Sequence, residues 1–300
     1  MNIIGRRKIY YLISLVFIIP GMLSILVFGL KLSSDFTGGS RMSILFKDNV
    51  DKEQVEFINS TLGNQNIKVI SIEPSEKLAI VRTPPIDERK NQEFLKKLKE
   101  KYEGATQEEF STIGPVIGRE TTQNAVKAVV LAAFLVVVYI TFVFRKVPKP
   151  ASSIRFGIST IIALIHDVFV VVGFFAILGY LWSVEIDALF VTALLTIIGF
   201  SVHDTIIVFD RIRENLGKNV NESFSEVVND SILQTITRSL NTSITVLLVL
   251  FTLLLFGGET IRWFVVALLI GIITGTYSSI FTASPILVDW HNWSLKRNRK

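Results

Sequence analysis

The chain has 300 residues, of which 50% are hydrophobic and only 19% charged, against about a quarter charged in ordinary soluble domains. The net charge of +5 is small, so where the charges sit matters more than their sum, and nothing points to a nucleic-acid partner. The absence of cysteine excludes disulfides, thiolate nucleophiles and cysteine metal sites.

The basic run Arg6-Arg7-Lys8 precedes an apolar stretch over roughly 9–30. That stretch is longer than a signal-peptide core of about 7–15 residues, and no small-residue cleavage site follows it. It is expected to be a retained first transmembrane helix. Residues 31–122 then read as a small domain. "SRMSILFK" is a strand, "DKEQVEFINSTLG" a helix ending at Gly63, "NIKVISIEP" and "KLAIVRTPP" a pair of strands. "DERKNQEFLKKLKEKYEG" is a helix with Phe94, Leu95, Leu98 and Tyr102 on one face, and "ATQEEFSTIG" is a last strand. The order βαββαβ is that of a ferredoxin-like α+β fold.

Five further apolar runs follow, at about 125–144, 156–178, 186–209, 240–256 and 263–288, the fifth starting a little earlier, near Thr235. Each is near the twenty residues a spanning helix needs. The expected architecture is a polytopic α-helical membrane protein with six spans and one small domain between the first two. Arg145, Lys146, Lys149 and Arg155 lie between the second and third spans. Arg211, Arg213, Lys218 and Arg238 lie between the fourth and fifth, and Lys296, Arg297, Arg299 and Lys300 close the chain. The opposite loops, "GYLWSVEID" and "GGETIR", hold only Arg262. The positive-inside rule then places both termini and the 210–235 loop in the cytoplasm and 31–122 outside. The expected divisions are 1–30, 31–122, a five-helix membrane part over 123–288 with its 210–235 loop, and a basic tail over 289–300.

Within that loop, "VNESFSEVVNDSILQTI" (220–236) puts Phe224, Val227, Val228, Ile232 and Ile236 near one face. It suits either an interfacial helix on the inner leaflet or a cytoplasmic helix packed on other helix ends. In the sixth span Gly271, Gly275, Ser279 and Ala283 recur every four residues, a spacing of small residues that lets helices approach closely.

A carboxylate near the bilayer centre costs about 2.5–3.5 kcal/mol on insertion scales, so two sites stand out. His166-Asp167 falls near the middle of the third span, and His203-Asp204 in the cytoplasmic half of the fourth. Asp210, Arg211, Arg213 and Glu214 read as the helix end, with charges reaching the interface. Asp204 is separated from them by "TIIVF", and its natural partner is Arg238, just before or within the start of the fifth span. Burial and a nearby guanidinium act in opposite directions on whether that carboxylate is charged. Two roles therefore stay open: a proton relay, or a permanent Asp–Arg pair that fixes helix register. His203, His166 and Asp167 are secondary candidates for proton-linked chemistry. No HExxH helix and no phosphate-binding loop is present, so neither a zinc peptidase nor an intrinsic ATPase is expected. The chain is not read as an enzyme, and no cofactor is expected beyond protons as the coupling ion.

Six stretches resemble one family. "DFTGGS" (35–40) follows the first span, "GPVIGRETTQNAVKAV" (114–129) enters the second, and "ALIHDVFVVVGFFAI" (163–177) lies in the third. "ALLTIIGFSVHDTIIVFDRIREN" (193–215) lies in the fourth, "TRSLNTSITVLLVL" (237–250) opens the fifth, and "GTYSSIFTASPIL" (275–287) closes the sixth. Together, in this order, they resemble the SecF family, the smaller subunits of bacterial SecDF protein-export complexes, within the resistance-nodulation-division superfamily. The match is loosest over 41–111. The resemblance implies a multi-pass protein of the bacterial cytoplasmic membrane. It implies partnership with SecD, with the SecYEG channel and with preproteins in transit, and use of the proton motive force to help draw exported chains outward. It also implies proton-linked roles for Asp204 and Arg238. His203 departs from the asparagine expected before that aspartate. The rivals are a structural subunit that assembles SecD with SecYEG and moves no protons, and a small-molecule exporter of the same superfamily, whose large paired external domains this chain lacks.

Overall fold

The computed structural model describes residues 2–218 and 222–298. The start of the 220–236 segment and the last residues of the basic tail lie outside the described residues. The chain divides into two units, one spanning Leu32–Val126 and the other made of the residues on either side of it.

The Leu32–Val126 unit holds a short helix α2 (Ser34–Thr37), β1 (Gly39–Leu45), α3 (Lys52–Gly63), β2 (Ser71–Ser75), β3 (Leu78–Thr83), α4 (Glu88–Lys101) and β4 (Thr106–Ile113). Its last part is the start of α5 (Pro115–Val143). All sheet pairings are antiparallel, in the order β2-β3-β1-β4. The period-two alternation of β3 buries Ala79, Val81 and Thr83 on one side, as a sheet with one packed face requires. Met42 and Ile44 of β1 join them against Ile58 and Leu62 of α3 and Phe94 and Leu98 of α4. Both helices begin where an aspartate caps them: Asp51 accepts from the Glu53 and Gln54 amides, and Asp87 from that of Lys90. Such caps satisfy otherwise orphaned N–H groups. Strand β2 is shorter than its sequence stretch and begins at Ser71, although the Ile70 amide still donates to the Arg82 carbonyl at 2.8 Å. Helix α2 has no counterpart in the sequence reading. It ends at Gly38, whose φ of 74° suits glycine. A Cβ there would lie 2.9 Å from the Pro115 Cα, so the "DFTGG" turn lies tight against the start of α5.

The other unit contains α1 (Arg7–Phe28, led by a 3₁₀ turn over Ile4–Arg6), the rest of α5, α6 (Ser153–Trp182), α7 (Ala188–Lys218), α8 (Phe224–Phe256) and α9 (Glu259–Ser278). Helix α9 runs through a π-helical segment, Ser279–Ala283, into α10 (Ser284–Asn298). Among the described residues, six helices are long and apolar enough to cross a membrane, counting Glu259–Arg297 as one. Their burial differs. About half of the apolar window is buried in α6 (56%), α7 (50%) and the last span (56%), against 17%, 6% and 17% for α1, α5 and α8. Helices α6, α7 and α9 therefore form the core of this unit, and the others are peripheral.

Two seams of small residues bring the helices close. Gly21 of α1 meets Gly173 of α6; a Cβ on Gly21 would lie 3.1 Å from the Gly173 Cα. Gly271 of α9 packs on Ile197 of α7, and a Cβ on Gly275 would lie 3.0 Å from that of Ser201.

Three boundaries differ from the sequence expectation. The 220–236 segment and the fifth span are one helix of 33 residues, α8, started by a capping box between Ser223 and Glu226. Its first turns do not lie separately on a leaflet: Phe224, Val227, Val228 and Ile232 are buried in the same core cluster as Ile3, Ile4 and Leu287. The backbone amides of Ile3 and Ile4 donate to Asn229 Oδ1 of α8 at 2.8 and 3.3 Å. The last span extends beyond 263–288 at both ends. Finally, α7 continues to Lys218, because its charges pair along the helix. Arg213 meets Asp210 at 2.6 Å, and Glu214 meets Arg211 at 2.8 Å and Lys218 at 2.7 Å.

The glycines give a test of the packing. In Gly173→Ala the new methyl meets the backbone of α1, which cannot yield as a side chain can, and the cost is expected to be about 1–3 kcal/mol. Gly199→Ala adds a methyl with nothing within 4 Å and should be neutral or stabilising by up to about 1 kcal/mol. Unfolding of both variants in detergent checks the pair; equal effects would contradict the Gly21–Gly173 seam.

Candidate functional site

Asp204 lies on the buried face of α7, with Ser201 and Thr205 beside it, and is itself 0% exposed. Thr276 Oγ1 of α9 donates to Asp204 Oδ2 at 3.1 Å. The Thr276 hydroxyl is 2.6 Å from Ser243 Oγ of α8, which lies 2.9 Å from the Ser239 carbonyl one turn back. Asp204 Oδ1 is buried with no hydrogen-bond partner among the described residues.

A hydroxyl has one proton to give and lone pairs to receive. With Asp204 ionised, Thr276 donates to the carboxylate and Ser243 donates to Thr276. With Asp204 protonated, the row can reverse: Asp204 donates to Thr276, Thr276 to Ser243, and Ser243 to the Ser239 carbonyl. Every hydroxyl is used in both states, and only O–H bonds rotate between them.

Asp167 of α6 is accounted for differently. It is 1% exposed. Its Oδ2 accepts from Ser201 Oγ of α7 at 2.6 Å and Ser278 Oγ of α9 at 2.8 Å, and its Oδ1 lies 3.0 Å from His166 Nδ1. The two carboxylates share one stretch of the α7–α9 contact. The Ser201 carbonyl accepts from Thr205 Oγ1 at 3.1 Å and from Ser279 Oγ at 3.0 Å, and the Thr205 and Ser279 hydroxyls are 2.8 Å apart. Ser278 and Ser279 also both reach the Gly275 carbonyl.

The structure does not pair Asp204 with Arg238. Arg238 is exposed on α8, and no ion pair joins the two among the described residues. Helix α8 turns Thr235, Ser239 and Ser243 inward, four residues apart. Arg238 is one position away from that row, which is about 100° around the helix. His203 is exposed, although its neighbour Asp204 is not. His166 and Asp167 are brought together, and Gly271 and Gly275 of α9, with Ser279 at the start of the π-helical segment, line the last span where it meets α7 beside Asp204. Sequence reasoning missed Thr276, Ser243, Ser201 and Ser278. Their only signal was hydroxyl residues on the inward faces, within "TRSLNTSI", "GTYSS" and "GFSVHD". Among the described residues, no group of three His, Cys, Asp or Glu side chains is placed to hold a metal ion.

A family model described as "Protein export membrane protein SecD/SecF, C-terminal" matches residues 93–293. The chain is similar to the protein translocase subunit SecF of Thermobaculum terrenum, at 47% identity over 97% of this chain and 94% of that one. It is 40% identical to the protein translocase subunit SecF of Anaerolinea thermophila, over 100% of this chain and 98% of that relative. The protein translocase subunit SecDF of Bacillus subtilis is 34% identical over 98% of this chain, which corresponds to 38% of that longer protein. Among solved structures, the crystal structure of SecDF from Thermus thermophilus, described as a translocon-associated membrane protein, superposes with a TM-score of 0.84 at 33% identity. The match covers 97% of this chain and 39% of that one.

Thr276→Val deletes the hydroxyl that donates to Asp204 Oδ2. The expected loss of stability is about 1–3 kcal/mol, and Thr276→Ser should restore most of it. Denaturation of the purified variants measures both. A silent Thr276→Val would show that this hydrogen bond does not hold the site.

Proposed function

The chain belongs to the SecF family of protein-export membrane proteins, and from that premise we propose that it couples the proton gradient to export by loading and unloading a proton at Asp204. It is a multi-pass membrane protein with a role in protein export. In this reading it pairs with a SecD chain, serves the SecYEG channel and helps draw preproteins outward. Both termini and the 210–235 loop face the cytoplasm. The Leu32–Val126 unit is an extracytoplasmic ferredoxin-like domain that contacts the emerging chain or SecD. The proton is the coupling ion; no other cofactor enters, and the chain makes and breaks no substrate bond.

The observation that carries the reading is the row Asp204–Thr276–Ser243, which engages Asp204 Oδ2 in either protonation state, while Oδ1 is buried without a partner among the described residues. A charge crossing the membrane gains about 2.3 kcal/mol per 100 mV, a scale on which one such group matters. Two polar faces support a helical partner. On α8, Gln234, Arg238, Asn241 and Thr245 are exposed along one face; on α7, so are Thr192, Thr196, Gly199 and His203. An arginine facing lipid is costly, by up to about 2.5–3.5 kcal/mol at mid-depth on insertion scales and less toward the interface, so another chain covering this face would relieve that penalty. The SecDF of Bacillus subtilis, in which the matching part is 38% of one polypeptide, favours SecD as that chain. Arg238 would then act on the relay from within the complex.

The deciding experiment reconstitutes the chain with SecD and SecYEG in vesicles and measures export with and without a proton gradient. Asp204→Asn keeps shape and hydrogen bonding but cannot titrate, and Arg238→Met keeps much of the volume without the charge. Both should assemble and export at the basal, ATP-driven rate while losing the gradient-dependent part. An assembled Asp204→Asn complex with full stimulation would leave only the structural-subunit reading, and failure to co-purify with SecD or SecYEG would favour the small-molecule exporter.

The orientation has its own test. In this cysteine-free chain, Lys90→Cys should be labelled only from outside and Lys218→Cys only from inside. Labelling of residue 90 from the cytoplasm would invert the topology.

A further inference from the structure

Helix α10 turns one stripe toward the start of α1. Ile286, Asp289, Trp290 and Trp293 line an open cleft of about 420 Å³ together with Tyr11 of α1. Arg297 lies one turn beyond Trp293, at a spacing that keeps it on the same helix face. From Ile286 to Arg297 the stripe runs about 16 Å along the axis, roughly half the thickness of the bilayer hydrocarbon. Its two ends differ in chemistry. Toward Ile286 the surroundings are carbon, and Leu15, one turn along α1 from Tyr11, is exposed. Toward Arg297 they are aromatic and basic. Trp293 is 59% exposed, and the guanidinium carbon of Arg297 lies 5.7 Å from the centre of its ring. Lys296, Arg6 and Lys8 are exposed at the same end of the bundle, where α1 begins and α10 ends. Tryptophan and tyrosine gather where hydrocarbon meets headgroups, so the cleft crosses that boundary.

The carboxylate in the wall is already matched. Asp289 Oδ1 meets Arg7 Nε at 2.7 Å, and Oδ2 accepts from the Tyr11 hydroxyl at 3.0 Å. The same contact aims Arg7. Its Nε is held by Asp289 and its Nη1 donates to the Ile4 carbonyl at 3.0 Å, which leaves Nη2 for a further acceptor. Arg7 also borders a second cleft, with Glu226 and Asp230 of α8. Glu226 is engaged there by the Ser223 amide and hydroxyl at 2.9 and 2.8 Å, and Asp230 by the Asn229 amide at 3.4 Å. Neither lines the α1–α10 cleft, so Asp289 is the one carboxylate in its wall.

We propose that the α1–α10 cleft binds one acidic phospholipid of the membrane, with its phosphate at Arg297 and Arg7 and an acyl chain along Trp290, Ile286 and Leu15. Guanidinium groups hold phosphate oxygens through paired N–H donors, and basic pockets between spanning helices take acidic headgroups. Tyr11 and Trp293 flank the level of the glycerol. A free phosphate would use the basic end alone and leave the apolar wall uncovered, whereas a lipid matches the stripe along its whole length. The bound lipid would tie the first span to the last, which Asp289 joins at this point. In the orientation proposed above it belongs to the inner leaflet. The site does not depend on proton coupling at Asp204.

The test weighs the bound lipid. The chain in complex with SecD is released in mild detergent from vesicles of equal phosphatidylglycerol and phosphatidylethanolamine, and its mass is measured intact. The expected result is retention of phosphatidylglycerol in preference to phosphatidylethanolamine. Arg297→Gln changes an exposed side chain and should weaken that retention about fivefold, the scale of one basic residue at a charged membrane surface. Ile286→Trp fills the apolar end without touching a charge and should also release the lipid. Should that variant fail to assemble, Trp293→Ala removes the opposite end of the wall from an exposed position. Arg145→Gln is the control, because Arg145 also stands on an aromatic ring, 4.3 Å from that of Phe142, but outside the cleft; it should leave retention unchanged. Four results would overturn the proposal. Equal retention of the two lipids removes the headgroup preference, and an equal loss in Arg145→Gln reduces the effect to general surface charge. A complex that carries no lipid means that SecD covers this face. Displacement by millimolar glycerol phosphate makes the cleft a site for soluble phosphates instead.

Discussion

Asp167 is a carboxylate buried where a bilayer offers no water, and it is held by donors from three helices. His166 stands on its own helix, Ser201 on α7 and Ser278 on α9. Losing a partner here leaves a buried charge unpaired, which costs more than an ordinary hydrogen bond is worth. One side chain therefore dictates how α6, α7 and α9 stand at this depth. The remaining features of the core serve that arrangement. Serine hydroxyls are short, so the backbones must come close, and a Cβ on Gly275 would lie 3.0 Å from that of Ser201. A larger residue at 275 would push α9 off α7 and break the Ser278 contact at the same stroke.

The last span adapts its backbone at the same place. Ser278 and Ser279 are consecutive, so their side chains leave the helix about 100° apart. One meets Asp167; the other meets the Ser201 carbonyl and the Thr205 hydroxyl. The π-helical segment starts at Ser279, and Ser284 Oγ returns to the Ser279 carbonyl at 3.3 Å, five residues back. Wider turns of this kind disturb the regular ladder and are frequent at functional sites. The result is a seam with two carboxylates in opposite conditions. Asp167 accepts from three donors and acts as scaffold. Asp204, one turn along α7 from Ser201, accepts from one and keeps an oxygen open.

Much of this was legible before any coordinates, and the reasons differ by feature. Asp204 announced itself because apolar residues flank it on both sides, and nothing but burial explains that pattern in a spanning helix. Its partner did not. Arg238 was the obvious counter-charge, but charge complementarity says nothing about rotation, and α8 turns Ser239 inward instead. Thr276 and Ser243 were invisible for a second reason. A hydroxyl in a helix can satisfy itself on the carbonyl one turn back, as Ser243 does on Ser239, so its presence in a span needs no partner and raises no flag. The unity of α8 was hidden by composition. Its first turns carry charges and the later ones do not, which reads as two segments. The capping box at Ser223 was the signal for one helix start, and it stood inside the stretch assigned to a loop helix. In the Leu32–Val126 unit, period-two and helical patterns located the strands and both main helices, because there a single core selects one face of each element.

A seam of glycine, serine and threonine also suits movement better than a seam of large side chains. Interhelical hydrogen bonds in membranes are worth about 0.6–2 kcal/mol each. One charge crossing 100 mV is worth about 2.3 kcal/mol. On the proposed reading, a proton that reverses the row from Asp204 to Ser243 alters terms of the same size as the driving force. Large apolar residues interlocked across the same contact would resist with about 1–3 kcal/mol for each misplaced side chain, and several would have to move together. Small residues present few such obstacles, so α9 can shift against α7 once the hydroxyls turn. The peripheral helices α1 and α8 hold to this core through other contacts, the first through Gly21 on Gly173 and the second through Ser243 on Thr276. A shift at the seam would therefore reach α8, and with it the exposed face that carries Arg238, through these hydroxyls and through the Asn215 amide of α7, which donates to Ser231 Oγ and Gln234 Oε1 of α8 at 2.9 and 3.1 Å.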